Sequence, residues 1–435
     1  MEQHIDITGL SHVGAGVGRL DGKVVFVDGA LPEEKVRVTL GESKKGITSA
    51  TLEEVIVPSP GRIAPQCPAA GVCGGCALIH ASDALEDNLK TQQVEDAMRR
   101  LGKLDVEVRP TLAAQKRYHY RNKGIFHVAY ENGCARLGFF EKGSHNLVPA
   151  SHCQLFSDKV CALARYLEEG ITHSGIAHAI DKVMIRESHY SGEMMVVFVG
   201  TSQKFRHAAL LETMVRDHSE VVSVWQNICT NPRLMLGRAY NHLYGQKTIP
   251  EALGDVRYDL SPASFFQINT EETNVLYGTA KEMLGDITGK AILDLYCGMG
   301  TIGMFVASRD QDLTGVESVG AAISDAKEAA KKAGFEKAHF YTAKAEEWLP
   351  KYLAKGGKVD IAIIDPPRKG CDPKLLDALI TAQVPKILSI SCNPATHARD
   401  LAILSKHYTL SPVQPVNLFP KTSHIESICV LEWKE

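Results

Sequence analysis

The chain is short of several things, and each absence narrows what it can be. No apolar run approaches the ~18 residues a membrane-spanning helix needs; Met194–Gly200 is among the longest. The opening residues MEQHIDITGL hold no basic stretch followed by an apolar one, so no secretory signal is read and a cytoplasmic location is expected. There is no internal repeat and no low-complexity tract. Net charge is almost absent, with 48 Lys and Arg against 51 Asp and Glu, so a surface for a polyanion has to be local. Even pairing fails among the cysteines: there are 11, and a long chain without an export signal is not a disulfide scaffold. The remaining composition, 44% hydrophobic and 23% charged, is that of an ordinary globular protein and excludes disorder or collagen. At 435 residues, about two to three domains are expected.

Three segments differ in pattern. Residues 1–58 carry short Val, Phe and Leu runs broken by Asp21-Gly22, Asp28-Gly29 and Leu31-Pro32, the spacing of a small β barrel or sandwich. Pro58-Ser59-Pro60-Gly61 reads as a linker. Residues 59–260 form a central, mixed segment. It opens with a cysteine- and glycine-rich stretch, followed by a helix from Ser82 or Asp83 to about Leu101 that is expected to pack on the domain after it. From 261 to 435 the runs AILDLYCGMGT, DLTGVES, VDIAIIDPPRKG and KILSISCNP alternate with helix-like stretches such as Ala321–Ala333 and Pro373–Ala382. That alternation implies a mostly parallel, helix-flanked sheet with ligands at the carboxyl ends of the strands.

Chemistry-bearing residues sit at those strand ends. Gly298-Met299-Gly300-Thr301-Ile302-Gly303 is a G-x-G-x-x-G turn, which taken alone suggests a dinucleotide. Asp294 before the glycines and the aromatic Tyr296 favour S-adenosylmethionine, a cation with an amino-acid head. Glu317, at the next strand end, suits a ribose diol in either case. Asp365-Pro366-Pro367-Arg368 leaves an acid at a strand end, because proline cannot continue the ladder. Cys392, in Ser391-Cys392-Asn393-Pro394, lies at a strand end rather than in a core position, and is read as a nucleophile. Cys161, Cys229, Cys371 and Cys429 are read as buried small hydrophobes.

In combination and order, DLYCGMGT, DPPRKG, SCNP and the terminal FPKTSHIE resemble the RNA uracil-5-methyltransferase family, and residues 1–58 resemble its TRAM module through GLSHVGAGVGRLDGKVVFVDGALPEEKV. The resemblance implies an α/β chain. Its parts are a Rossmann-like S-adenosylmethionine-dependent methyltransferase domain, an N-terminal TRAM/OB-like RNA-binding barrel and a central α+β domain. It implies that Cys392 attacks uracil C6 and that Glu426 removes the C5 proton, with Gln267, Tyr296, Glu317 and Asp365 as cofactor contacts. Met299, Thr301, the helix SDAKEAAKKAG and Asn417 depart from the family's usual residues.

Cys67, Cys73 and Cys76, with Cys153 far along the chain, give four thiols beside Gly71, Gly74 and Gly75. On ligand type they suit zinc or an iron–sulfur cluster equally; the family branch with this pattern carries a [4Fe-4S] cluster, whose expected role is to fold the central domain. Residues 115–145 hold six cations against Glu131 and Glu141, interleaved with Tyr118, Tyr120, Phe126, Phe139 and Phe140, and are expected to bind single-stranded RNA. The leading expectation is a monomeric RNA uracil C5-methyltransferase acting on 23S rRNA. A tRNA enzyme of the same family, an iron–sulfur nicotinamide oxidoreductase and a non-catalytic RNA-binding factor are the alternatives.

Overall fold

The structure is a computed structural model; it describes residues 2–44, 47–174, 179–201 and 208–434. The chain groups into two compact units, Met1–Arg117 with Ile363–Glu435, and Tyr118–Ala362.

The first unit begins with five strands, β1 (Glu2–Leu10), β2 (Gly16–Leu20), β3 (Lys23–Val27), β4 (Lys35–Lys44) and β5 (Ile47–Val57), closed into a barrel in the order β1-β2-β3-β5-β4. Alternation decides what faces inward: Ile5, Ile7, Val25, Val27, Val36 and Val38 fill the interior, and closure removes exposed strand edges. Helix α1 (Asp83–Asp96) is capped by Ser82, whose hydroxyl accepts from the Leu85 amide, and continues as a π-helical turn over Ala97–Gly102. The carboxyl-terminal part of this unit holds α8 (Pro373–Thr381), α9 (Pro394–Leu404) and the strands β19 (Lys386–Ser391), β20 (Tyr408–Leu410), β21 (Gln414–Val416) and β22 (Glu426–Trp433). β22 pairs antiparallel with β19, β20 and β21. β18 (Ile361–Ile364) runs across the division between the units.

The second unit holds a seven-stranded sheet built from β6 (Lys123–Glu131), β7 (Cys134–Phe140), β8 (Leu147–Pro149), β9 (Lys182–Glu187), β10 (Met194–Gly200), β11 (Val221–Ile228) and β12 (Ala239–Gly245), in the order β12-β11-β10-β9-β6-β7-β8. Helices α2 (Asp158–His173) and α3 (Ala208–Asp217) contribute Leu163, Leu167, Leu210 and Met214 to the core on one face of it. The hairpin β13 (Ile249–Leu253) and β14 (Val256–Leu260) leads to α4 (Thr270–Leu284). Then strands β15 (Ile292–Leu295), β16 (Leu313–Glu317) and β17 (Ala338–Thr342) pair in parallel, connected by α5 (Thr301–Val306) and α6 (Gly320–Ala333), with α7 (Ala345–Ala354) following. The alternation read from residue 261 onward is therefore real, and its turns fall at strand carboxyl ends. Among the described residues no helix is long and apolar enough to cross a membrane.

Candidate active site

In the first unit, register brings the two residues expected to do chemistry together. Ser391 of β19 faces Ser427 of β22 in the antiparallel ladder. Cys392 follows the last residue of β19 and Glu426 is the first of β22, and the charge of Glu426 reaches the Cys392 thiol. Asn393 caps α9, its carboxamide oxygen accepting from the Ala395 amide at 3.1 Å, and Pro394 occupies the first helical turn, where no amide is needed. The cysteine is thus held at the mouth of a strand–helix turn.

The loop after β18 is fastened to the same helix. The Asn393 side chain donates to the Arg368 carbonyl at 2.9 Å, and the Cys371 amide donates to Asp400 at 2.8 Å. Gly370 has φ +80°, and a Cβ there would meet Asp400 Oδ2 at 2.8 Å and Thr396 at 3.0 Å, so only glycine fits. Asp365, Arg368, Cys392 and Glu426 feel one another electrostatically. Burial pushes the Cys392 thiol up to about 11, helped by the charges of Glu426 and Asp365 and opposed by Arg368. Burial lifts Asp365 to about 7. Burial, then the Asp365 charge, holds Glu426 well above the usual carboxylate range. Two carboxyls that cannot both ionise cheaply are a feature of acid–base sites.

Sequence reasoning missed what lies behind this corner. His397 of α9 is buried between two strands, its Nε2 at 3.1 Å from Ser389 Oγ and its Nδ1 at 2.7 Å from Ser427 Oγ. Burial pulls it down to about 3, so it is neutral. Equally unseen was a buried ionic cluster joining α1 to the terminal segment. Lys90 Nζ donates to Glu86 at 2.9 Å, to Asn417 Oδ1 at 2.6 Å and to the Phe419 carbonyl at 3.0 Å. Asn417 Nδ2 donates to Glu86 and Asp87, both at 2.9 Å. Lys421 Nζ reaches Asp83 at 2.6 Å, and Arg117 pairs with Asp87 at 2.5 Å. α1 meets the carboxyl-terminal segment through this charged cluster, while Val94, Ala97 and Met98 of the same helical stretch are also buried. No periodicity signals such a contact, because polar residues at helical spacing read as a solvated face.

In the second unit, β15 is followed by Tyr296, whose φ of +64° is rare for a non-glycine residue and marks a constrained turn. The buried Asp294 accepts from the Gly303 amide at 3.0 Å, tying the strand to the start of α5. Gly298 has φ +54°, with no atom within 4 Å of where a Cβ would stand, which leaves an open cradle above the glycine loop. Glu317 ends β16, with Oε1 accepting from the Val319 amide at 2.9 Å; its second oxygen has capacity for a diol. Gln267 lies in a segment clamped from behind. Asn122 Nδ2 donates to its carbonyl at 2.8 Å, and Arg186 donates to the Ser261 and Ser264 carbonyls at 3.0 and 2.6 Å.

None of the 11 cysteines is joined in a disulfide. Cys161, Cys229, Cys371 and Cys429 are buried, as expected of small hydrophobes, and so is Cys297. Cys67, Cys73 and Cys76 are half-buried in the loop before α1, in the first unit; Cys153, half-buried, belongs to the second. Among the described residues no group of three or more His, Cys, Asp or Glu is gathered closely enough to hold a metal ion. The four thiols have the donor chemistry for a cluster, without that close grouping. The basic stretch 115–145 is also used differently from the expectation. Tyr120 and Phe126 are core residues and Arg117 is committed to Asp87. Burial pulls Lys123 down to about 7, helped by the charges of Arg186 and Arg121.

Comparison with known proteins agrees with the fold. The family described as tRNA (Uracil-5-)-methyltransferase matches residues 83–434, and the TRAM domain matches residues 1–52. An uncharacterized RNA methyltransferase of Halalkalibacterium halodurans is 35% identical, covering 99% of this chain and 96% of the relative. Another, from Clostridium tetani, is 34% identical over 98% of this chain and 95% of its own. The crystal structure of Pyrococcus abyssi tRNA (uracil-54, C5)-methyltransferase in complex with S-adenosyl-L-homocysteine superposes with a TM-score of 0.78 at 25% identity, covering 99% of this chain and 100% of that one. These matches displace the nicotinamide reading of the glycine loop. With its TRAM barrel, its strand–turn–helix succession and its matched residues 83–434, the chain belongs to the tRNA (uracil-5-)-methyltransferase family of RNA methyltransferases.

Proposed function

We propose that this protein methylates C5 of uracil in RNA, with Cys392 as nucleophile and Glu426 as base. The observation that carries the reading is that Cys392 and Glu426 lie at adjoining ends of paired strands, within electrostatic reach of each other and of Asp365 and Arg368. Uracil C5 is a poor nucleophile. Cys392 Sγ adds to C6 and pushes the ring electrons toward C5. After methylation Glu426 takes the C5 proton, the C6–S bond breaks, and the thiol leaves with aromaticity restored. A base stacked in a helix is out of reach of Cys392, so the target uridine is flipped out or already unpaired. S-adenosylmethionine supplies the methyl group when bound; Tyr296, Glu317, Gln267 and Asp365 are the residues assigned to hold it.

Large-subunit rRNA is the proposed substrate, on the four-cysteine pattern. A tRNA substrate is the second reading. The observation favouring it is that the Pyrococcus abyssi tRNA enzyme aligns over 99% of this chain, so the barrel does not separate the two. Cys67, Cys73, Cys76 and Cys153 are proposed ligands of a structural [4Fe-4S] cluster, on their spacing and the donor chemistry of four thiols; iron and sulfide analysis of anaerobically purified protein tests this. The three-segment division at 58 and 260, a cytoplasmic location and a monomeric state belong to the same reading.

The test uses tritiated S-adenosylmethionine with unmodified 23S rRNA and tRNA transcripts. Labelling of rRNA, lost in Cys392→Ala, is expected, and Glu426→Gln is expected to accumulate a covalent RNA adduct. Label on tRNA alone discards the rRNA assignment. Transfer that survives Cys392→Ala discards the nucleophile.

A further inference from the structure

The thirty residues Val221–Pro250 contain Arg233, Arg238 and Lys247 but no Asp or Glu, in a chain whose acids outnumber its bases. They fold as β11, a loop, and β12, which is the free edge of the seven-stranded sheet. Long exposed edges are usually blunted or covered, because an unpaired edge invites association. Here the edge is long and dressed with rings. Tyr244 is 45% exposed, and Leu234 and Met235 in the loop are 48% and 44% exposed. Trp225 of β11 faces His242, their rings 4.7 Å apart, and Tyr240 meets the same indole edge-on at 6.5 Å.

The loop is not a loose connection. The fully buried Asn227 accepts from the Gly237 amide at 2.7 Å and donates to the Gly237 and Ala239 carbonyls at 3.0 and 3.1 Å. Lys182, only 6% exposed, sends its ammonium to the Leu234 carbonyl at 3.0 Å. Burying an amide and an ammonium costs free energy, and both are used to fix a segment whose own side chains point out cations and apolar groups. This is a held surface, and its chemistry is that of a single-stranded polyanion site: cations for phosphates and ring faces for unstacked bases.

We propose that the β11–β12 edge, from Arg233 to Lys247, binds a single-stranded segment of the RNA substrate outside the catalytic corner. Arg233, Arg238 and Lys247 contact phosphates, and His242 and Tyr244 offer stacking faces. The proposal rests on the RNA-methyltransferase reading and adds a docking surface to it. It also accounts for where RNA contacts lie once Tyr120, Phe126 and Arg117 of the basic stretch 115–145 are spent on the core and on Asp87.

The test measures binding of a fluorescein-labelled single-stranded oligouridine and of an rRNA transcript across a salt series. It compares the full-length protein with Arg233→Ala/Arg238→Ala/Lys247→Ala and with His242→Ala/Tyr244→Ala, all five positions being exposed. Each phosphate contact on a single strand contributes ~0.7 to the salt slope, so the triple variant is expected to lower the slope by about 2. The ring variant is expected to weaken binding roughly tenfold or more with little change in slope. Unchanged slope and affinity in both variants, with wild-type methyl transfer intact, overturn the docking surface alone. A wild-type protein that neither binds nor labels any RNA overturns the enzyme reading and this one with it. Unchanged RNA affinity together with a self-association that Tyr244→Lys abolishes reassigns the edge to a second copy of the chain, against the proposal.

Discussion

Asn417→Asp is the most informative small change this structure offers, because it alters one atom in a buried cluster whose charges balance. Around Asn417 stand Asp83, Glu86 and Asp87 on one side and Lys90, Arg117 and Lys421 on the other, and Glu86, Lys90 and Asn417 are fully buried. The carboxamide is oriented by its partners: its oxygen takes the Lys90 ammonium, and its NH2 serves the Glu86 and Asp87 carboxylates. An aspartate keeps the lysine contact, loses both donations and adds a fourth negative charge. Hydrogen bonds to charged groups contribute ~1.5–3 kcal/mol each. Relaxation and proton uptake recover part of the loss, so a deficit of about 3 kcal/mol is expected at pH 8.

That deficit has a sign in pH. The introduced carboxyl sits among carboxylates out of water, so its folded-state pKa lies above its unfolded value of ~3.9. The folded variant therefore binds a proton that the unfolded chain has released. The penalty is smallest near pH 4 and grows as pH rises toward the folded pKa, by ~1.36 kcal/mol for each pH unit between the two values. Asn417→Ala removes the same donations without adding charge, and its deficit is flat over this range. The assay is amide hydrogen exchange, read as protection factors for peptides covering α1 and residues 414–426. About 3 kcal/mol corresponds to roughly a hundredfold loss of protection at pH 8, shrinking at pH 5. Equal losses at the two pH values, or none, refute the charge-balance reasoning.

Two further outcomes follow from the catalytic corner. His397 is held near 3 against an ordinary value of 6.5, so the unfolded chain takes up a proton that the folded one refuses. Wild-type stability is expected to fall as pH drops below 6.5, by up to ~1.4 kcal/mol per pH unit, and His397→Gln to flatten that slope in urea titrations at pH 4–7. Iodoacetamide labelling at Cys392, followed by peptide mass spectrometry, is expected to climb toward pH 11. Glu426→Gln should speed it several-fold at the alkaline end of the series, where Glu426 is ionised, by removing a neighbouring negative charge, and an unchanged rate there places the two groups out of electrostatic reach.

The legible parts were those in which a local pattern carries the constraint. Val25, Val27, Val36 and Val38 alternate because one barrel face is buried, and the glycines at 298 and 300 stand where the turn takes positive φ. Cys392 and Asp365 announce themselves by position at strand ends before proline. What stayed hidden are partnerships between distant residues. Glu86 and Lys90 meet Asn417 and Lys421 across more than 320 positions of chain, and nothing local separates that from an exposed helix face. Two rings of the basic stretch depart from the expectation for a related reason. Tyr120 and Phe126 are buried, and composition counts rings without saying which way they point. The acid-free run Val221–Pro250 was visible in the sequence, but only its place at a sheet edge gives it meaning.

The proton arrangement at Cys392 has a consequence for order. Thiol, Glu426 and Asp365 compete for negative charge: each ionisation raises the cost of the next, with Arg368 the opposing charge. At pH 7 a thiol held near 11 is ionised about once in ten thousand molecules, so the free protein carries a quiet cysteine. On the proposed route the thiol must first become a thiolate, whose charge the neighbouring carboxylates oppose, and bonding of sulfur to C6 turns that charge into a neutral thioether. Ionised Glu426 then becomes cheaper at the stage when a base is wanted. A carboxylate held well above its ordinary range is also a stronger base once ionised. On the proposed route, the repulsion that opposes the thiolate therefore no longer acts once sulfur is bonded to C6, before the final step.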